Sequence, residues 1–132
     1  MTVVIDTSAL AAVVLGEPDA EAFLSVLLAH IGDLHISAAT LVEAGIVVEA
    51  RQGPEAATDL AMLLDRIGVV TVPFDDDQAR SAVAGWRRFG KGRHPAGLNL
   101  GDCFAYALAK TTAGALLFKG GNLAQTDIAS VL

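Results

Sequence analysis

Apolar positions along this chain switch between two rhythms, short unbroken runs and helical spacing, and the switches mark its elements. Val3-Val4-Ile5 is a β-branched run that ends on an acid, Asp6, as a buried strand does. Ala9 to Leu15 predicts a short helix, stopped by Gly16 and followed by Pro18. Asp19 is placed to cap a second helix that reaches about His30, with Phe23, Leu24, Leu27, Leu28 and Ile31 on its apolar face. Leu34-His35-Ile36 predicts a minimal strand, and Ser37 to about Ala50 a helix with few polar positions. Gly53-Pro54 breaks the chain and opens a helix over Pro54 to Arg66, closed by Gly68. Val69 to Val72 predicts a strand. Phe74-Asp75-Asp76-Asp77-Gln78 starts a helix that reaches about Phe89. A loop rich in Gly, Pro and basic residues covers Gly90 to Leu100. A helix from about Gly101 ends before Gly114, Ala115 to Phe118 is a last strand, and a Gly-Gly-Asn loop leads into a short tail.

Strands alternate with helices, and the strand runs are continuously apolar. That pattern predicts an α/β fold of three layers, a central mostly parallel sheet of about four to five strands flanked by helices. Sites in such sheets form beyond the carboxyl ends of the strands. With 132 residues, the sequence is expected to form a single domain over 1–132. Apolar residues make up 53% and charged residues 18%, a packed composition rather than a disordered one. No run approaches the roughly 20 apolar residues of a membrane span. Met1-Thr2-Val3-Val4-Ile5-Asp6 has no basic leader, so no secretory signal is expected. A lone cysteine, Cys103, excludes an internal disulfide and points to a reducing cytoplasm.

Three carboxylates from distant places carry the candidate chemistry. Asp6 directly follows the first strand and belongs at the carboxyl edge of the sheet, although Asp6, Thr7 and Ser8 read equally well as caps of the next helix. Between Ile36 and Val48 the only side chains with polar groups are Ser37, Thr40 and Glu43, which form one narrow stripe on an otherwise apolar helix. A carboxylate there is costly unless paired or metal-bound. Its other reading, a capping box with Thr40, requires the helix to start at Thr40. Asp102 stands in the first turn of its helix, where the dipole favours an acid. Hard divalent ions such as Mg²⁺ and Mn²⁺ take carboxylate oxygens and keep several waters. An ion so held supplies the activated water and the charge clamp of phosphodiester hydrolysis.

Other chemistries recede. Asp75-Asp76-Asp77 is accounted for by helix capping. His30 and His35 read as structural or exposed. No His-x-x-x-His or Cys–His spacing suits zinc, and neither a Gly-x-Ser-x-Gly elbow nor a phosphate-binding Gly-x-x-x-x-Gly-Lys loop occurs. A phosphoacceptor receiver domain wants paired acids after the first strand, and a haloacid-dehalogenase-type phosphatase wants a second Asp shortly after the first. Asp6-Thr7-Ser8 supplies neither. The net charge of −6 argues against a nucleic-acid binder taken globally, but four of the nine basic residues, Arg87, Arg88, Lys91 and Arg93, fall in one short stretch. They read either as a complement to a helix C-terminus and a solvated loop, or as an RNA phosphate-binding rim beside an acidic centre. Trp86 and Phe89 read as core or dimer contacts rather than stacking platforms.

Several of these segments together resemble the PIN domains. They are Val3-Val4-Ile5-Asp6-Thr7-Ser8-Ala9-Leu10, Glu43 in the third helix, Gly101-Asp102-Cys103-Phe104-Ala105-Tyr106-Ala107-Leu108-Ala109, and Leu116-Leu117-Phe118-Lys119-Gly120. Within the family the likeness is strongest to VapC-type toxins of bacterial toxin–antitoxin pairs, and Phe89-Gly90-Lys91-Gly92-Arg93-His94 is similar to a mycobacterial subgroup. The resemblance implies an endoribonuclease using Mg²⁺ or Mn²⁺. Asp6 and Asp102 would hold the metal, Glu43 would assist the metal or position the attacking water, and Ser8 would hydrogen-bond a ligand or a metal-bound water. It further implies a homodimer, inhibited by a small VapB-like antitoxin whose C-terminal tail enters the active-site groove.

One loop departs from the family pattern. An acid expected at 121 or 122 is absent from Gly120-Gly121-Asn122-Leu123. Asn122 still offers a carbonyl oxygen, and Asp127 in Thr126-Asp127-Ile128 is read as either a compensating acid or the cap of a last turn. The alternative left open is a catalytically attenuated PIN-like module that binds RNA or protein without turnover.

Overall fold

The computed structural model describes residues 1–132. Its sheet has four parallel strands, β1 (Val3–Ile5), β2 (Leu34–Ser37), β3 (Val70–Val72) and β4 (Ala115–Leu117), in the order β3-β2-β1-β4. Between them run α1 (Thr7–Val14), α2 (Ala20–Ala29), α3 (Ala38–Gln52), α4 (Pro54–Ile67), α5 (Asp76–Phe89) and α6 (Leu100–Thr112). The chain steps outward from β1 to β2 to β3, then returns to lay β4 on the other side of β1. The reversal puts a crevice between the carboxyl ends of β1 and β4, where ligands of open α/β sheets bind.

Alternation along the strands divides the interior into two layers. Val3 and Ile5 join Leu34, Ile36 and Leu117 beneath α1–α4, with Leu10, Leu27, Val48 and Leu60. Val4 faces the opposite way and joins Leu116 with α5 and α6, through Phe89, Cys103 and Leu108. Both crossovers into β2 and β3 pack on one face and the return crossover packs on the other, as right-handed connections require when the strand order reverses.

Helix limits follow local chemistry. Asp6 caps α1 directly, so that helix begins at Thr7, two residues before the expected Ala9. Ser37 caps α3 through its hydroxyl, which accepts from the Ala39 amide at 3.2 Å. Glu43 is therefore well inside α3, and the capping box with Thr40 does not form. Gly68 ends α4 at φ +63°, a backbone that favours glycine. Asp75 caps α5 by accepting from the Gln78 amide at 3.0 Å, which accounts for the acidic run without a metal. Asp19 stands at the start of α2 but makes no cap bond. Its carboxylate is drawn to Lys119 instead. The edge strand β3 is not covered as the apolar run suggested, for Val70 is 52% exposed. The opposite edge is shielded, because the tail pairs with β4 through Leu116 N–H to Ala129 O and Val131 N–H to Leu116 O, both 2.9 Å.

Thr40 is fully buried, and its Oγ1 has no hydrogen-bond partner. Thr40→Val keeps the shape and removes the orphaned hydroxyl. Denaturation in urea is expected to show a gain of about 1 kcal/mol, and a loss of stability would show that the hydroxyl is satisfied in solution.

Candidate active site

Asp6, Glu43 and Asp102 line one cavity of about 320 Å³, together with Thr7, Ser8, Glu17, Arg51, Asn99 and Lys119. Each acid is placed by a different element. Asp6 follows β1, and its amide donates to Leu117 O at 3.0 Å, so it sits at the crevice between β1 and β4. Its Oδ2 accepts from the Ser8 amide at 3.1 Å and the Ser8 hydroxyl at 2.5 Å. Ser8 Oγ in turn accepts from the Lys119 amide at 2.9 Å, which links α1 to the loop after β4. Ser8 thus fixes Asp6 and leaves the second carboxylate oxygen to the cavity.

Glu43 projects from the middle of α3. Its Oε1 accepts from Thr7 Oγ1 at 2.5 Å. Space for the carboxylate comes from Gly101 on α6. A Cβ there would overlap Glu43 Oε2 and come within 2.5 Å of Cδ. Asp102 belongs to a capping box with Asn99. The Asp102 amide donates to Asn99 Oδ1 at 2.9 Å, and Asp102 Oδ2 accepts from the Asn99 amide at 3.1 Å. The helix begins at Leu100 rather than Gly101 because Asn99 caps it. Asn122 Nδ2 also donates to Asp102 Oδ2, at 3.4 Å, so the altered loop meets the site through an amide.

The electrostatics are one-sided. None of the three acids takes part in a salt bridge. Burial pushes the Asp6 carboxyl up from an ordinary 3.8 to about 6; the two Ser8 hydrogen bonds oppose the rise, while Asp102 and Glu43 add to it. A buried carboxylate, Asp6, with two half-buried acids beside it and no salt bridge to any of the three, is the arrangement a divalent ion relieves. The donor set is oxygen throughout, which suits Mg²⁺ or Mn²⁺ better than a soft metal. No three of these side chains already stand together as a ready-made metal cluster. Cys103 is no alternative nucleophile, since burial, with Asp102 beside it, pushes the thiol up to about 11.

The remaining sequence candidates lie elsewhere. Asp127 is held on the far side of α6 by Tyr106 Oη (2.9 Å), Lys110 Nζ (2.7 Å) and Arg88 Nη1 (3.2 Å), away from the acidic cavity. Burial works to raise its carboxyl, but the Lys110 and Tyr106 hydrogen bonds outweigh it and the pKa falls below the ordinary value. It neither caps the tail nor faces Asp102. Arg88 is committed to Asp127, and Arg93 stacks 4.9 Å from the Trp86 ring while donating to Arg87 O. Lys91 lines a separate apolar groove with Trp86 and Leu100 that meets the acidic cavity at Asn99. None of Arg87, Arg88, Lys91 and Arg93 touches the cavity wall; the cations there are Arg51 and Lys119. Sequence reasoning missed these two, together with Thr7 as the partner of Glu43, Asn99 as the cap and Gly101 as the space for Glu43. The Asn-x-x-Asp spacing of 99–102 is a readable capping signal. Arg51 and Lys119 carry none, being far apart in the chain.

The family model described as "PIN domain" matches residues 3–129. This chain belongs to the PIN-domain family. Ribonuclease VapC of Mycolicibacterium smegmatis is 48% identical over 128 residues, covering 97% of this chain and 98% of the relative. Ribonuclease VapC30 of Mycobacterium tuberculosis is 49% identical over 129 residues, 97% of each chain. Among solved structures, the Mycobacterium tuberculosis sarcin-ricin loop cleaving toxin VapC20 superposes with a TM-score of 0.82 over 98% of both chains at 16% identity, a likeness of fold. FitAcB from Neisseria gonorrhoeae gives 0.65 at 20% identity over 98% of this chain and 96% of that one. PIN-domain VapC ribonucleases are generally metal-dependent. No helix of this PIN domain is long and apolar enough to cross a membrane.

The raised Asp6 carboxyl predicts a pH-dependent cost. The folded state holds the Asp6 proton more tightly than the unfolded chain does. Ionised Asp6 therefore weighs against the fold above about pH 6, and that cost fades as the pH falls toward 4. Asp6→Asn should stabilise the metal-free protein at pH 7 by about 1–2 kcal/mol, part of the roughly 3 kcal/mol that the shift represents. Urea titrations across this range should show the gap closing toward pH 4. A gap that widens at low pH would contradict the assignment.

Proposed function

We propose that this PIN domain is a Mg²⁺- or Mn²⁺-dependent endoribonuclease, the toxin of a toxin–antitoxin pair. What supports it most is the meeting of Asp6, Glu43 and Asp102 at the β1–β4 crevice, none of them held in a salt bridge. Asp6 and Asp102 would hold the ion, with Glu43 beside them. When bound, the ion supplies an activated water and charge stabilisation of the phosphate. Ser8 keeps Asp6 oriented, and Thr7 keeps Glu43 pointed into the cavity, where its carboxylate accepts a proton or orients the water. Asn122 brings an amide to Asp102 where the family resemblance leads one to expect an acid.

Close relatives named VapC ribonuclease support RNA as the substrate. The same likeness, with the FitAcB structure, supports a small VapB-like antitoxin as partner. A second copy of the chain and the cytoplasm as the place of action complete the proposal. Trp86, 42% exposed, and Leu100, 75% exposed, flank the apolar groove and are offered as homodimer contacts. Arg87, Lys91 and Arg93 form an outer RNA-binding rim, with Arg88 tied to Asp127.

A second reading, an attenuated binding module, rests on Asn122. Its amide donates to Asp102, so the fourth corner of the site brings no charge. Total RNA incubated with the protein in Mn²⁺, followed by mapping of new 5′ ends, separates the two. The nuclease reading expects cleavage that EDTA, Asp6→Ala or Asp102→Ala abolishes, and cleavage retained in both variants would sink it. Asn122→Asp should leave the rate within a fewfold if the site is competent; a large gain from an inactive wild type would favour the attenuated module.

Gly101→Ala tests the position of Glu43. The far end of a flexible side chain can move aside, so melting should change by less than about 1 kcal/mol. The displaced carboxylate should cost about 100-fold in cleavage rate. An unchanged rate would remove Glu43 from the machinery.

A further inference from the structure

The wall of the acidic cavity carries two cations already occupied by a fourth carboxylate, Glu17. Glu17 lies in the turn after α1, beyond the helix end. Its Oε1 accepts from Lys119 Nζ at 2.8 Å, and its Oε2 stands 3.7 Å from Arg51 Nη1. Lys119 Nζ also bonds Asp19 at 3.0 Å. Arg51 comes from the last turn of α3 and Lys119 from the residues just past β4. Both line the cavity that holds Asp6, Glu43 and Asp102, and they are its only cationic side chains.

A carboxylate shared between an ammonium and a guanidinium occupies the position a phosphate oxygen takes with the same donors. The pairing is readily exchanged. Arg51 is 60% exposed at 3.7 Å, a solvated contact of the sort that adds little to stability. Replacing Glu17 by a phosphodiester swaps one anion for another, and the hydration the phosphate loses is offset by what the released Glu17 regains. It also supplies what the acids lack, since an RNA phosphate entering a wall of carboxylates meets repulsion unless cations stand within the same cavity.

We propose that Arg51 and Lys119 are the phosphate-holding side chains of the acidic cavity, and that Glu17 occupies them as a surrogate anion while RNA is absent. The inference rests on the ribonuclease reading and deepens it by assigning the phosphate side of the same site. It is separate from the basic stretch at 87–93, which stays outside the cavity.

The test is fluorescence anisotropy of a short, labelled, random-sequence single-stranded RNA with the full chain in EDTA, over a series of KCl concentrations. Glu17→Gln frees Arg51 and leaves Lys119 with Asp19 as its single carboxylate partner. It should bind at least about fivefold tighter than wild type, with the log–log salt slope steeper by about 0.7 for each further phosphate that the protein neutralises. Adding Arg51→Gln or Lys119→Gln to Glu17→Gln should cancel most of the gain. Asp65→Asn, an exposed acid outside the cavity wall, removes the same charge and should leave affinity near wild type. Glu17→Ala serves as a second variant, with melting curves to establish folding. Equal affinity and slope for Glu17→Gln and wild type would overturn the proposal. So would an equal gain from Asp65→Asn, or a gain that survives loss of both cations. The binding arm contains no metal, so its outcome is independent of turnover. RNA held through Arg51 and Lys119 but never cut in Mn²⁺ removes the nuclease reading alone. RNA that is cut by a protein indifferent to Glu17→Gln removes this inference alone.

Discussion

Asp6 is a buried carboxylate with hydrogen bonds but no cation, and the architecture around it follows from holding it there. β1 delivers it to the crevice where the strand order reverses, and α1 starts at the next residue so that the Ser8 amide can receive it. The Ser8 hydroxyl passes the connection to the Lys119 amide beyond β4. Two neighbouring parallel strands, far apart in sequence, are thereby locked at their carboxyl ends around one charge. Burial raises the affinity of that charge for a proton and, by the same physics, for a divalent ion. A stable scaffold tolerates the cost because the two apolar layers on either face of the sheet do not depend on the site.

The other two acids are held by local devices of different strength. Asp102 is fixed by a reciprocal capping box, which would form in almost any fold that starts a helix there. Glu43 has one side-chain donor, Thr7, and a space defined by a missing Cβ on a helix from the opposite layer. Its position is a property of the packing between α3 and α6. The cavity is therefore built from a strand end, a helix middle and a helix start, and only their meeting makes it a site.

Charge is arranged on the same principle. The protein is acidic as a whole, and the basic residues that crowd together in sequence stay outside the acidic cavity. Arg88 turns toward Asp127 behind α6, and Arg93 lies over Trp86. The cations that reach the cavity are Arg51 and Lys119, which no local pattern joins. Asp127 illustrates the same point with opposite sign. Tyr106, Lys110 and Arg88 converge on it, so an acid that stands close to the altered loop in sequence is consumed by a structural knot.

The order and type of every main element were legible in the sequence, because apolar period, caps and Gly or Pro stops are local signals that the packed fold respects. The three acids were legible for a related reason. Asp6 follows a strand, Asp102 opens a helix, and Glu43 stands on a helix with little other polar company, so each breaks or ends a pattern. Tertiary structure decided what those patterns leave free. It set which strand lies beside β1, and so where the crevice falls. It gave Glu43 the partner Thr7 and the space at Gly101. It sent Asp127 away from the cavity and brought Arg51 and Lys119 into it. Local sequence determines the conformation a segment prefers; the contacts of a long side chain depend on which distant segment the fold places within its reach, and that is a property of the whole chain.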